Sequence, residues 1–255
     1  MNEPLSTPSI AAAAVKRLVA ATFVAAAIFA AGTMQAAPRG GGSAENDAAQ
    51  NARDAADAPG LQKLIQSAAA DAAKSPGAEA QLRIALYNHW LGEVADDLKD
   101  KNLEKSAALA GRAAAELGVA AAPDSPRAHA LLGLLLGDCI PHTSMGGMRL
   151  GPRAQKEFDK ALELDPLSAD AYIGEGIGRL MTPSTFGGSA AKALELFGKA
   201  AEIDPSSDTA HVWLAQAHQK LGERDRALEE INRALALNSN RRWSQMVKAQ
   251  VEKMR

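Results

Sequence analysis

The segment SSDTAHVWLAQAHQKLGERDRALEEINRALALNS, residues 206–239, carries the pattern from which the fold class follows. Counted from Asp208, small residues stand at positions 8, 20 and 27, which are Ala215, Ala227 and Ala234. Two antiparallel helices cross closely only where the side chains at the contact are small, and larger apolar residues fill the seam beside the crossing. The segment therefore predicts a pair of packed helices.

The end of this segment has two counterparts upstream. The sequence INRALALNS (231–239) corresponds to FGKAAEIDP (197–205) and to FDKALELDP (158–166), and Pro205 lies 34 residues before Ser239. A proline at such a place ends one helix and turns the chain toward the next. The chain is therefore predicted to contain a repeated unit of two helices. Its 47% hydrophobic and only 4% aromatic residues agree, because alanine, which supplies much of the apolar count, favours helices over strands.

The two preceding units are 39 and 43 residues long when measured between their terminal prolines. Their extra residues fall in the turn between the two helices, where PHTSMGG (141–147) is similar to PSTFGG (183–188). A phosphate-binding loop needs no second copy, so the duplication argues against that role. We expect Phe186 and Met145, which precede the glycine pairs, to plug the long turns against the stack. The alternative is that the two loops form a shared contact ridge.

These positions resemble the tetratricopeptide repeat (TPR) family, whose 34-residue unit has small residues at positions 8, 20 and 27. The resemblance implies an all-α, TPR-like helical-hairpin solenoid with extended inter-helix turns and a C-terminal capping helix. It assigns N-terminal helices with a degenerate repeat to residues 61–123, TPR-like repeats to 124–166 and 167–205, a TPR repeat to 206–239, and the capping helix to 240–255.

The N-terminal residues have the pattern of an export signal. Lys16 and Arg17 precede an uncharged apolar run, which is followed by small residues. This pattern predicts a signal peptide at 1–36, cleaved after Ala36 or Ala37, and a periplasmic protein. The alternative is an inner-membrane anchor formed by residues 18–37, and contact with a membrane is expected only if this segment is uncleaved. Residues 37–60, rich in Gly, Asp and Asn, are predicted to form a flexible linker.

No residue pattern indicates catalysis, a cofactor or a metal, and the chain is predicted not to be an enzyme. GEGIG (174–178) lies inside a predicted helix, whereas a dinucleotide-binding motif follows a strand. His129, His211 and His218 fall at positions where the repeat favours packing residues, and Cys139 is expected to be a buried apolar residue. The net charge of −2 argues against nucleic acid as a partner.

The family resemblance implies a concave groove lined by positions 2, 5, 9 and 12 of the first helices. The predicted partner-binding residues there are Arg127, Leu134, Asp170, Ile173, Ile177, Thr209, Val212, Gln216 and Gln219. Their apolar and amide side chains suit an extended peptide or a partner helix. The sequence thus favours a non-catalytic protein–protein interaction scaffold in the bacterial cell envelope. The alternative is a periplasmic TPR component of a solute transport system, similar to those of tripartite transporters.

Overall fold

Eleven α-helices follow one another in the computed structural model, which describes residues 44–254, and no strand occurs in that range. The predicted all-α class is confirmed. Short 3-10 helices, Ile140–His142 and Ser184–Phe186, lie in the two extended turns. The α-helices are α1 (Ala44–Asp54), α2 (Ala58–Lys74), α3 (Ala78–Asp97), α4 (Lys101–Ala121), α5 (Pro126–Asp138), α6 (Gly146–Leu164), α7 (Ala169–Met181), α8 (Ala190–Ile203), α9 (Asp208–Lys220), α10 (Arg224–Leu237) and α11 (Arg242–Glu252).

The helices pack in consecutive pairs. α5 packs against α6, α7 against α8, and α9 against α10, while the first helices α5, α7 and α9 also contact one another in order. Serine side chains cap several of the first turns: Ser125 accepts a hydrogen bond from the backbone N–H of Ala128, and Ser207 accepts one from Ala210. Such caps satisfy backbone donors that the helix itself leaves unpaired.

Aromatic rings fill the space that the small residues leave at the crossings. A Cβ atom added to Gly133 would stand 2.5 Å from the ring of Phe158, and one added to Gly176 would stand 2.4 Å from the ring of Phe197. Both phenylalanines are buried. Glycine at position 8 therefore lets the second helix of these two units bring its ring against the backbone of the first helix.

The structure differs from the predicted flexible linker at 37–60, because residues 44–54 form helix α1 and α2 begins at Ala58. Ala49 and Ala52 of α1 are buried. Its polar residues also have partners on α3: Arg83 forms an ion pair with Glu45 at 2.8 Å, and the Tyr87 hydroxyl donates to Asn46 Oδ1 at 2.7 Å. These contacts across about forty positions of sequence hold α1 in place.

The last helix, α11, covers the apolar side of the final repeat. Val247 and Val251 are buried in one cluster with Val212 and Ile231. The Trp243 ring contacts Trp213 edge to face at 5.3 Å. The C-terminal repeat therefore buries its open side against α11, as a terminal cap of a repeat stack does.

The predicted signal peptide at 1–36 and the alternative anchor at 18–37 lie outside the described residues. Within residues 44–254, no helix is both long enough and apolar enough to cross a bilayer.

Candidate partner-binding surface

The predicted groove residues lie on the first helices α5, α7 and α9, which pack side by side. Arg127 and Asp170 are exposed, and Arg127 forms an ion pair with Glu79 of α3 at 3.1 Å. Beyond these two residues, a row of partly accessible side chains runs across α5 and α7 to the C-terminal half of α9. Its members are half-buried, each with one side against the stack and one toward solvent: Leu134, Ile177, Gln216 and Gln219.

Two of the predicted groove residues are core residues instead. Ile173 is 5% exposed and packs in the cluster that joins α7, α8 and α9, while Val212 has no exposed surface and packs against α11. Position 5 of a first helix faces the following first helix, or the cap in the last repeat, and is covered by it. A partner that binds this surface does not contact either side chain in this arrangement.

Thr209 is held by an ionic cluster that crosses from the last repeat to α3. Arg241, just before α11, donates from Nη1 to Thr209 Oγ1 at 2.6 Å and to Asp208 Oδ2 at 3.1 Å. Its Nη2 lies 3.4 Å from Glu93 Oε2 on α3. We call Arg241, Asp208, Thr209 and Glu93 the closing cluster, because it joins positions 148 residues apart.

A second contact beside the closing cluster joins the same two ends of the described chain. The side-chain amide of Asn238 donates to Asp54 Oδ2 at 2.8 Å, across 184 positions of sequence, and also to Asp208 Oδ2 at 3.2 Å. Asp54 in turn pairs with Arg53, whose guanidinium stacks over the Trp90 ring at 5.0 Å. The last repeat is therefore tied to α1 as well as to α3.

His89 on α3 belongs to the same polar region. Its Nδ1 lies 2.7 Å from Asp138 Oδ2 at the end of α5, and its Nε2 lies 3.9 Å from Glu93 Oε1. Burial alone would lower the pKa of His89, but the carboxylates of Asp138 and Glu93 outweigh it and raise the pKa to about 9. His89 is therefore a cation at neutral pH and links α3 to α5. Burial and the neighbouring carboxylates Glu93 and Asp96 also raise the pKa of Asp97.

Sequence reasoning did not find this polar region. Arg241 follows a helix end in the sequence NSNRRW, which has the composition of an exposed turn. Glu93 and Asp138 stand within or just after apolar runs of α3 and α5, and this placement is the one local signal that the sequence offers. The pairing itself joins distant positions and has no signature in either segment.

The remaining histidines bind carboxylates within or between helices, in structural roles. His129 Nδ1 lies 2.6 Å from Glu157, and His211 Nδ1 lies 2.7 Å from Glu230, so each joins the first helix of a unit to the second. Burial would raise the pKa of Glu230, but its hydrogen bond with His211 lowers it below the usual range. In residues 44–254, no group of three or more His, Cys, Asp or Glu side chains is arranged to hold a metal ion.

Cys139, the one cysteine of the sequence, packs as an apolar residue. Its side chain is fully buried, and Sγ lies 3.3 Å from the carbonyl oxygen of Ala108. Burial raises the pKa of the thiol, which opposes formation of a nucleophilic thiolate.

The two Gly-Gly turns are closed by their own backbone rather than open to a phosphate. Gly146 donates to the carbonyl of Thr143, and Gly188 donates to that of Pro183. A Cβ atom at Gly146 would lie 2.2 Å from the Ile140 carbonyl oxygen, and one at Gly188 only 1.8 Å from that of Thr182. Glycine is needed there for close approach of backbone to backbone.

The expected plugging of these turns by aromatic and methionine side chains is wrong. Phe186 is 79% exposed and Met145 is 63% exposed, so neither packs against the stack. The turns are closed by backbone hydrogen bonds instead, such as the one from Ser189 N to Arg179 O at 2.8 Å.

Comparison with known proteins agrees with the helical repeats. A family model described as tetratricopeptide repeat matches residues 188–251, which include α8, α9 and α10. Tetratricopeptide repeat protein 36 of Bos taurus is 38% identical over 119 residues, 47% of this chain and 54% of that protein. The mitochondrial import receptor subunit TOM70 of Rattus norvegicus is 29% identical over 85 residues, 33% of this chain and 13% of that protein. The chain thus spans about half of the first relative and a small part of the second.

Among solved structures, a thermophilic TPR protein of Thermus thermophilus is similar to this chain with a TM-score of 0.57 and 15% sequence identity. The alignment covers 82% of this chain and 99% of that one. At this identity the likeness shows the fold alone, a stack of solenoid-like helical repeats. The family model at residues 188–251 and the identity with tetratricopeptide repeat protein 36 support a relationship to the TPR family.

Proposed function

We propose that this chain is a non-catalytic scaffold that binds a protein or peptide partner on the inner face of its first helices. The inner face is the side of α5, α7 and α9 that carries the predicted groove residues. The observation that carries the proposal is the accessible row Leu134, Ile177, Gln216 and Gln219 along α5, α7 and α9. Two apolar side chains are followed by two amides, each of which can donate and accept hydrogen bonds. Such a row suits a peptide that buries apolar side chains and presents its backbone to the amides.

The closing cluster limits the length of that surface. Thr209 is already bound to Arg241, and Arg241 is itself buried between Asp208 and Glu93. A partner therefore lies along the middle of the inner face, beside Ile177 and Gln216, and does not contact the first turn of α9. One relative, TOM70, is by name a receptor subunit, which agrees with a role in binding.

Photo-crosslinking in living cells, with a photoreactive residue built into the chain, tests the binding surface. A photoreactive residue at Gln216 should crosslink to a defined partner, whereas the same residue at Asn232, an exposed amide on the second helix α10, should not. The partner, once identified and purified, should bind the wild-type chain directly. Equal crosslinking from both positions contradicts the inner-face proposal.

A substitution then tests the same surface with purified components. Ile177→Glu places a charge in the middle of the row and should weaken binding of the identified partner about tenfold or more, because burying an unpaired carboxylate costs well over 1.4 kcal/mol. Leu117→Glu is the matched control, since Leu117 is 57% exposed on the second helix α4. Unchanged affinity of the Ile177→Glu chain, with its helix content intact, refutes the proposal.

We further propose that the scaffold works in the bacterial cell envelope. Support comes from the sequence, in which Lys16 and Arg17 precede an apolar run and a small-residue stretch ending near Ala36. Mass spectrometry of the chain isolated from a fractionated bacterial host gives the test. The proposal expects a mature N-terminus after Ala36 or Ala37 in the periplasmic fraction, and an intact chain in the cytosolic fraction contradicts it.

A further inference from the structure

The two extended turns and the helix ends beside them expose four large apolar side chains. Met145 is 63% exposed, Met148 69%, Met181 57% and Phe186 79%, and these are among the most exposed large apolar residues of the described chain. We call these four residues the turn ridge. Single exposed apolar side chains are ordinary, but several grouped around two neighbouring loops indicate a contact surface.

Both turns leave the same edge of the helical stack. The first follows the C-terminal end of α5 and the second follows that of α7, and α5 packs against α7. The end of α9 lies at this edge too, because the Lys220 ammonium donates to the carbonyl oxygen of Leu180 at the end of α7. Packed helices lie about 8–10 Å apart, so the two turns are close enough to contact one partner together.

The segments that carry the turn ridge contain cations without an ion pair. Residues 139–156 and 176–194 contain five Lys or Arg residues, and four acidic residues directly border them: Asp138, Glu157, Glu175 and Glu195. The first three of these four acidic residues are paired, with His89, His129 and Arg179 respectively. Two of the five are neutralised from outside these ranges, Arg153 by Glu116 and Arg179 by Glu175. The other three, for which the described residues provide no ion pair, are Arg149, Lys156 and Lys192.

Exposed apolar side chains among unpaired cations complement an acidic partner with apolar side chains of its own. A second copy of this chain, docked ridge to ridge about a two-fold axis, would bring the same cations against one another. An anionic bilayer gains about 1 kcal/mol per cation, so three cations and a single aromatic ring bind it weakly. Methionine side chains, by contrast, adapt well to the irregular surface of a peptide.

We propose that the turn ridge docks an acidic segment of a partner protein in which Asp or Glu alternates with large apolar residues. This surface is separate from the inner face of α5, α7 and α9, so a partner can hold both at once. Failure of either surface leaves the other in place, because no residue of the turn ridge belongs to the inner row.

A fluorescent synthetic peptide, with Glu and Asp alternating with Leu and Phe, tests the proposal by anisotropy with the full chain. We expect binding that weakens with added salt, and a loss of about tenfold or more in affinity for Phe186→Ser, since the peptide would bury the Phe side chain and Ser lacks that apolar surface. Met145→Asn should act in the same direction without straining the turn, because Asn tolerates the left-handed conformation found there (φ 52°).

Leu167→Ser is the matched control, because Leu167 is 62% exposed but lies in the connection between α6 and α7, at the other end of these helices. Its affinity for the peptide should equal that of the wild-type chain. The proposal is overturned if the wild-type chain does not bind the peptide, if Phe186→Ser and Leu167→Ser bind it equally, or if a peptide with Lys in place of Asp and Glu binds as tightly. Cosedimentation with phosphatidylglycerol vesicles that Phe186→Ser abolishes overturns it in favour of a membrane.

Discussion

Replacement of Arg241 by methionine removes the centre of the closing cluster while keeping an unbranched side chain. The wild-type guanidinium contacts Asp208, Thr209 and Glu93 at 2.6–3.5 Å. Methionine offers none of these oxygen atoms a donor. The substitution therefore separates the contribution of the ionic contacts from that of simple volume.

The magnitude follows from burial. The side chain of Arg241 is 2% exposed, while those of Asp208 and Glu93 are 14% and 28% exposed. Breaking a fully buried pair costs about 3–5 kcal/mol, and water screens part of that loss here, so we expect the free energy of unfolding to fall by about 3 kcal/mol. In a unit of this size the Tm then falls by about 6–12 °C.

The assay is urea unfolding followed by circular dichroism, with Arg242→Met as the matched control because its neighbour Arg242 is exposed. Hydrogen exchange in α1 and α3 should also become faster in Arg241→Met, since these helices lose their tie to the last repeat. A double-mutant cycle with Glu93→Gln should give a coupling of about 1–3 kcal/mol. If Arg241→Met and Arg242→Met unfold at the same urea concentration, the closing cluster does not stabilise the fold.

Three further predictions concern stability, each measured by urea unfolding. The pKa of His89 is 6.5 in the unfolded chain and about 9 in the folded chain, so the stability that its charge contributes is full below pH 6.5 and is lost as the pH rises through 9. Between pH 6.5 and 9, the free energy of unfolding should therefore fall by about 3 kcal/mol more in the wild type than in His89→Gln. Gly176→Ala should destabilise by about 1–3 kcal/mol through its clash with a ring, whereas Gly178→Ala, which meets no atom within 4 Å, should be neutral or slightly stabilising; equal effects would contradict this packing. Phe197→Ala should lower the free energy of unfolding by about 3–5 kcal/mol because its side chain is fully buried, and Phe186→Ala, at 79% exposure, by less than about 0.5 kcal/mol. Similar losses in the two variants would contradict the burial of Phe197.

The repeat pairs α5–α6, α7–α8 and α9–α10 could be predicted because each is encoded locally. The small residues at Gly133, Gly176 and Ala215 stand where the two helices of one unit meet, and the contact involves residues of that unit or its neighbour. Because each unit repeats the same contacts, the residues that make them recur in the sequence at a fixed spacing. The all-α class followed from the same pattern.

Helix α1 and the closing cluster could not be predicted because distant contacts stabilise them. The composition of residues 44–54 is that of a linker, and their helix is held by Arg83 and Tyr87 of α3. Distant contacts also explain why the sequence predicted only part of the candidate surface correctly. Helical spacing places Ile173 and Val212 on the inner face, but it does not reveal that α9 and α11 cover them.

The central claim is that a partner protein lies on the inner face of the first helices. Hydrogen exchange of the chain, measured with and without the purified partner that crosslinking identifies, tests this claim most directly. The method measures the protection of every helix in one experiment. We expect slower exchange in α5, α7 and α9 when the partner is bound, and unchanged exchange in the second helices α6, α8 and α10. Protection confined to the second helices would contradict it.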